Sequence, residues 1–161
     1  MEFFIAGAGS KKLEEKYKST NLSFLGRIDD LNKLFSKVDI GLAPLITGSG
    51  TRLKILDYMA AGIPVIGTRL SVEGLEEEIK DALILEDDIT KYPQIIKHLL
   101  MNRKLISHYS KAGRRFVEKY RNWKVCIHDI ISAYDLMIAG FPVTKTPRNK
   151  NIVKHIFETW S

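Results

Sequence analysis

Small residues, two cations and a carboxylate lie close together in the stretch GSGTRLKILD. The members that could contact a ligand are Gly48, Ser49, Gly50, Thr51, Arg52, Lys54 and Asp57. Glycines let backbone N–H groups approach a ligand, arginine binds two phosphate oxygens at once, and lysine adds a mobile charge. A carboxylate repels phosphate but accepts hydrogen bonds from sugar hydroxyls. The pattern therefore indicates a nucleotide diphosphate, with its ribose near Asp57.

The same residues also have a purely structural interpretation. Lys54 and Asp57 are three residues apart, and an exposed ion pair at that spacing is worth about 0.3 kcal/mol. Arg52 would then be solvated, and the glycines would form a tight turn between a strand and a helix. Short glycine motifs match by chance, so the spacing alone leaves both interpretations open.

A second glycine loop follows the first apolar run of the chain. It reads GAGS, with Gly7 and Gly9 between an apolar run and a helical segment. This is an incomplete dinucleotide-binding fingerprint, and a plain turn is the alternative. Two glycine loops at the carboxyl ends of strands lie where ligands bind in open α/β sheets, which supports the ligand interpretation of both.

Composition narrows the class of protein without choosing a ligand. The 161 residues are 45% hydrophobic and carry a formal net charge of +6, which suits one soluble domain with an anionic partner. That partner is a phosphate-bearing small molecule, an anionic membrane surface or nucleic acid. Cations are dispersed and no recognition motif accompanies them, so nucleic acid is disfavoured. A single cysteine, with no zinc-type spacing, predicts neither a disulfide nor a metal site.

Apolar runs and helical segments alternate over the first half of the chain. The predicted strands are 3–6, 22–25, 38–43, 63–66 and 82–85, and the predicted helices between them are 11–19, 30–37, 51–61 and 72–80. Runs that lack polar alternation are typical of strands buried on both faces. The predicted class is therefore α/β, with a Rossmann-like parallel sheet of about five strands flanked by helices.

The second half of the chain predicts a helical tail. Helices are expected over 90–101, 103–120 and 123–138, with an apolar face on the last one that packing on its own domain would bury. Residues 1–140 would form the Rossmann-like nucleotide-binding domain, and residues 141–161 a basic linker and an amphipathic helix. An alternative for that final helix is an anionic membrane surface. The N-terminus has no signal-peptide pattern and no apolar run reaches ~18 residues, so a cytoplasmic protein is expected, with peripheral membrane contact.

Three stretches resemble the C-terminal, donor-binding half of group 1 glycosyltransferases with the GT-B fold. They are FFIAGAG, LSFLGRIDDLNKLFSKVDIGLAP and TRLKILDYMAAGIPVIGT, and the resemblance extends from about Phe3 to Met137. In that family a Glu-x7-Glu motif spans the last block, and its second acid contacts the ribose of a nucleotide sugar. Asp57 stands at the position of the second acid and Ser49 at that of the first. The resemblance also implies donor contacts from Gly26 and Arg27 in the FLGR turn.

The implied reaction is transfer of a sugar from a nucleotide-diphosphate sugar, with retention and without an essential metal or other cofactor. Arg52 and Lys54 would stabilise the charge that develops on the departing diphosphate. A complete enzyme of this family has an N-terminal acceptor-binding half, and the resemblance lacks that half and the first strand of this domain. In the family the last helices of the C-terminal half pack on the N-terminal half, so docking there is the alternative for the apolar face of 123–138. The expected partners are thus a nucleotide sugar and a separate N-terminal domain or a homodimer. The alternative function is a non-catalytic nucleotide-binding or protein-interaction module.

Overall fold

Strands and helices alternate along the residues that the computed structural model describes, which are 1–17, 19–48, 52–75 and 77–138. The strands are β1 (Phe3–Ala6), β2 (Leu22–Gly26), β3 (Gly41–Ala43), β4 (Val65–Gly67) and β5 (Ile84–Leu85). The α-helices are α1 (Lys11–Glu14), α2 (Leu31–Phe35), α3 (Leu53–Ala60), α4 (Tyr92–Met101), α5 (Arg103–Tyr120) and α6 (Trp123–Ile138). Each predicted strand overlaps an observed one, and the α/β class is confirmed.

The five strands form two parallel sheets rather than one continuous sheet. One contains β1 and β2, and the other has the order β3-β4-β5. The chain likewise divides into two compact units, with β1 and β2 in residues 1–38 and β3 to β5 in the remainder.

The core of the second unit lies between its sheet and helices α3 and α5. Its buried residues are Ala43, Ile55, Met59, Val65, Val72, Ile79, Ala82, Leu83 and Phe116. Gly113 sits in the middle of α5, where a glycine is intrinsically unfavourable. A Cβ at this position would lie 3.0 Å from Met59 Cγ, so glycine allows α5 to approach α3 closely. This close approach fixes α3, whose first turn carries the cationic residues of the sequence pattern.

Capping residues explain where α3 ends and where α2 begins. Gly62 has a φ of +72°, and its left-handed conformation ends α3 as expected. Helix α2 is capped by Asp30, whose carboxylate accepts a hydrogen bond of 3.0 Å from the backbone N–H of Asn32. Asp29 is exposed and paired with Arg27, and Asp30 is the cap because α2 begins at Leu31.

The helix predicted over 72–80 is wrong. The chain there forms two short 3₁₀ helices, Arg69–Val72 and Glu77–Asp81. Gly74 between them has a φ of +81°, which an α-helix cannot contain. The apolar spacing that suggested a helix instead buries Val72 and Ile79 from two separate turns.

Helix α6 forms over the predicted residues, but its apolar face is not packed on its own domain. Exposed fractions reach 81% for Trp123 and 83% for Ile138, and Ile127, Ile131 and Tyr134 are exposed as well. The expectation that this face is buried within the domain is therefore wrong for the described structure. Within residues 1–17, 19–48, 52–75 and 77–138, no helix is long and apolar enough to cross a membrane.

Candidate anion site at the start of helix α3

A small pocket lies at the carboxyl end of β3, where the chain turns into α3. Its volume is about 170 Å³, and its lining residues are Leu45, Thr47, Gly48, Arg52, Lys54, Ile55 and Ser71. The loop after β3 supplies one wall, the first turn of α3 a second, and the 3₁₀ helix after β4 a third. The carboxyl edge of a parallel sheet is where α/β proteins bind ligands, and the start of a helix favours anions.

Arg52 is the buried cation of this pocket. Its side chain is 7% exposed, and its Nη2 lies 3.6 Å from Oε2 of Glu73. Within the part of the chain that the structure describes, its Nε is buried and has no hydrogen-bond partner. A buried donor without an acceptor costs about 1–3 kcal/mol, and more when the group is charged. An anion that accepted a hydrogen bond from Nε would recover this cost, so the pocket is suited to an oxyanion.

Glu73 compensates the charge of Arg52 incompletely. Its carboxylate is 71% exposed, and a separation of 3.6 Å exceeds the 2.7–2.9 Å of a strong charge-assisted hydrogen bond. The backbone of Glu73 follows the 3₁₀ helix Arg69–Val72, and its N–H donates to the carbonyl of Leu70 at 3.4 Å. The backbone position of Glu73 is thus supported while its carboxylate faces solvent. The guanidinium therefore retains capacity for a second, stronger anion.

Two hydroxyl groups hold the wall that carries Ser71. The Thr68 hydroxyl donates to the carbonyl of Leu45 at 2.6 Å, which ties the end of β4 to the loop after β3. The Ser71 hydroxyl donates to the carbonyl of Thr68 at 2.6 Å. Both side chains are buried, with exposures of 3% and 0%. The pocket wall is therefore cross-linked by hydrogen bonds from buried side chains.

Of the other residues predicted in this loop, some line the pocket and some lie outside the described residues. Lys54 lines the pocket and is exposed, so its ammonium group is free to reach a ligand at the pocket mouth. Gly48 also lines the pocket and has a φ of +123°, a conformation that favours glycine. Ser49, Gly50 and Thr51 were predicted to bind the donor, and they lie outside the described residues. The structure thus brings Gly48, Arg52 and Lys54 together.

Asp57 lies on α3 but is not among the residues that line the pocket. Its side chain is largely exposed. The part that is buried still raises the pKa of its carboxyl above the ordinary value of 3.8. Burial of the Tyr58 side chain itself, followed by the charge of Asp57, raises the pKa of the Tyr58 hydroxyl. Asp57 remains the predicted ribose contact, at one helical turn from Lys54.

The raised pKa of Asp57 predicts how stability depends on pH. The folded protein binds this proton more tightly than the unfolded chain, so ionisation of Asp57 lowers the free energy of unfolding as the pH rises. Asp57→Asn is expected to raise the urea midpoint slightly at pH 7, and the gain should shrink as the pH falls toward 3.8. Urea titrations at pH 7 and pH 4 measure this difference. A gain that is equal at both values would contradict the assignment to Asp57.

The predicted donor contacts of the first unit form turns. Gly7 has a φ of +141° and donates its N–H to the Gly26 carbonyl at 2.7 Å, and Gly26 has a φ of +71°. The N–H of Gly26 donates to the Ser10 hydroxyl at 2.9 Å. Gly9 has open space around the position of a Cβ, and the Arg27 side chain is 84% exposed. Backbone conformation alone explains Gly7 and Gly26, and ligand contact by all four residues stays a prediction.

Sequence reasoning missed Ser71 and Glu73. Both follow β4, and parallel strands end at the same edge of a sheet, so the segment after β4 had to approach the loop after β3. The helix wrongly predicted over 72–80 obscured this signal. In the described part of the chain, no group of three or more His, Cys, Asp or Glu side chains is arranged to hold a metal ion.

Known proteins match both the sequence and the fold. The chain belongs to the family described as "Glycosyl transferases group 1", whose profile matches residues 1–102. A phosphatidyl-myo-inositol mannosyltransferase from Mycobacterium leprae is 27% identical over an alignment of 147 residues, and the match covers 84% of this chain and 38% of that protein. The chain therefore spans well under half the length of this relative.

Two solved structures show the same fold. Sucrose-phosphate synthase from Thermosynechococcus elongatus superposes with a TM-score of 0.67 at 22% identity, over 82% of this chain and 34% of that one. WaaG, a glycosyltransferase involved in lipopolysaccharide biosynthesis, superposes with a TM-score of 0.64 at 21% identity, over 81% of this chain and 38% of that one. The fold is that of GT-B glycosyltransferases, and the partial coverage is consistent with their C-terminal domain.

Proposed function

We propose that this chain is the donor-binding half of a retaining glycosyltransferase and that the α3 pocket holds the diphosphate of a nucleotide sugar. The observation that carries the proposal is the buried Nε of Arg52, which lacks an acceptor in the described chain. The diphosphate would accept hydrogen bonds from this guanidinium, while Lys54 at the pocket mouth would reach an outer oxygen. Both cations would then oppose the charge that grows on the diphosphate as the glycosidic bond breaks.

The acceptor of the transferred sugar is proposed from the relatives. One relative is named as acting on phosphatidyl-myo-inositol, and a structural neighbour takes part in lipopolysaccharide biosynthesis. A glycan or a lipid-linked glycan is therefore the proposed acceptor class. Because the chain spans 38% of that relative, transfer is proposed to need an N-terminal half in addition to these residues.

Titration with nucleotides tests the proposal directly. UDP, GDP and their sugars, added to the chain in a calorimeter without divalent metal, are expected to give saturable binding by at least one diphosphate. The corresponding monophosphate should bind more weakly, because it presents fewer oxygens to Arg52 and Lys54. Absence of binding by every diphosphate would contradict the proposal and favour a non-catalytic interaction module derived from this fold.

A further inference from the structure

Helix α5 has one apolar face and one strongly basic face. Gly113 and Phe116 are buried on the apolar side, which packs against the core of the second unit. At 100° per residue the exposed residues occupy an arc of about 160°. They are Arg103, Lys104, Ser107, His108, Lys111, Arg114, Arg115, Glu118 and Lys119. We call this set the α5 basic face, and it contains six Lys or Arg side chains and one Glu.

Internal contacts neutralise a small part of this charge. Arg114 donates to Glu118 at 2.9 Å and to the carbonyl of Ala60 at 3.0 Å, so its charge has partners within the protein. Among the described residues, Lys104, Lys111 and Arg115 form no ion pair within 4.0 Å. Like charges on one face repel each other. These charges are therefore available to an anion outside the described chain.

Acidic groups beside the α5 basic face are already engaged. Glu78 accepts a hydrogen bond of 3.0 Å from the Tyr120 hydroxyl, and Glu77 pairs with Lys80. The Lys119 ammonium group lies 4.7 Å from the centre of the Tyr120 ring, where a cation–π contact holds it beside the helix. Asp81 lines a surface groove together with Arg115 and Lys119 and offsets part of the charge at that end, whereas Lys104 and Lys111 form no ion pair within the described residues.

We propose that the α5 basic face docks on the surface of an anionic phospholipid bilayer. The 18 residues of α5 span about 27 Å, long enough for several of its cations to contact phosphate groups of one membrane surface at once. Helix α6 follows directly and exposes Trp123 and Ile127. Aromatic and aliphatic side chains beside cations are typical of membrane interfaces, whereas a nucleic acid would offer phosphates but no apolar phase. This surface is separate from the α3 pocket and does not depend on its proposed function.

Binding to vesicles tests this inference. The full chain is expected to sediment with vesicles of phosphatidylcholine containing 30% phosphatidylglycerol, and to bind pure phosphatidylcholine poorly. A cation near an anionic surface contributes about fivefold, so Lys104→Gln with Lys111→Gln should lower the partition coefficient about 25-fold. A second pair, Arg103→Gln with Arg115→Gln, should give a similar loss. Binding should weaken steeply with added salt.

Matched variants identify the surface that is responsible. Lys12→Gln with Lys33→Gln removes two exposed cations of the first unit and should leave the partition coefficient nearly unchanged. Equal losses in this control and in the α5 pairs would overturn the inference. So would a loss confined to Lys150→Gln with Lys154→Gln, or tighter binding of a 20-base oligonucleotide than of vesicles. Diphosphate affinity should stay unchanged in the α5 pairs, which separates this result from the proposed function.

Discussion

Arg52→Gln is expected to lower the affinity for a nucleoside diphosphate about 100-fold. A buried cation that forms charge-assisted hydrogen bonds with a ligand commonly accounts for 2–5 kcal/mol of binding when it is truncated. Arg52 is 7% exposed and its Nε has no acceptor in the described structure, so the free protein keeps a donor available for phosphate. Isothermal titration with UDP, GDP and inorganic pyrophosphate measures the change.

The stability of Arg52→Gln shows whether Arg52 contributes to ligand binding or to folding. If Arg52 stabilised the fold, its removal would lower the free energy of unfolding strongly, because breaking a buried ion pair costs about 3–5 kcal/mol. The contact of Arg52 with Glu73 is long and exposed on one side, so Arg52→Gln should change the urea midpoint little. Lower affinity with preserved stability therefore identifies a ligand-binding arginine. A loss of both would show that Arg52 holds the loop rather than the ligand.

Arg69→Gln provides the matched control. Arg69 is one residue beyond Thr68 and is 81% exposed, and its guanidinium pairs with Asp87 at 2.8 Å. The substitution removes the same formal charge from the same unit, but from a surface ion pair worth at most about 1 kcal/mol. Affinity should fall less than about threefold. Equal losses in both variants would mean that net charge, rather than the buried guanidinium, attracts the diphosphate.

The spacing of apolar residues predicted most strands and helices well, because burial in the core determines which positions are apolar. The runs at 3–6 and 22–25 lack polar alternation, and each became a strand within one residue of the predicted bounds. Helix α5 was predicted at its observed bounds, since its apolar positions recur at helical spacing over 18 residues. The helix predicted over 72–80 does not form because Gly74 has a positive φ. This one residue interrupts an apolar pattern that otherwise fits a helix.

Tertiary contacts of the site could not be derived from spacing. The sequence placed Arg52 in the anion loop but could not show that its guanidinium is buried, or that Glu73 approaches it from a turn after another strand. It also placed Asp57 with the pocket residues, whereas its side chain is not among those lining the cavity. Residue types predicted the chemistry, and the relative positions of β3, β4 and α3 determine which side chains meet.

Gly67→Ala is expected to lower the free energy of unfolding by about 2 kcal/mol. Gly67 ends β4, and a Cβ at this position would overlap the hydroxyl oxygen of Ser71. That hydroxyl is fully buried and donates to the Thr68 carbonyl at 2.6 Å, so it cannot move aside without losing a hydrogen bond. Urea unfolding measures the loss. Gly9→Ala is the matched control, because no atom lies within 4 Å of its added Cβ, and it should change stability by less than about 0.5 kcal/mol.

Removal of the Ser71 hydroxyl should rescue the Gly67 variant. Ser71→Ala alone loses one buried hydrogen bond, at a cost of about 1 kcal/mol. In the double variant the added Cβ meets the Ser71 Cβ at 3.5 Å and the Ala43 carbonyl oxygen at 3.6 Å, and both are ordinary van der Waals contacts. The double variant should therefore be more stable than the sum of the single losses predicts, by about 1 kcal/mol or more. Strict additivity would show that the end of β4 and the Ser71 wall of the pocket are not packed against each other as the structure has them.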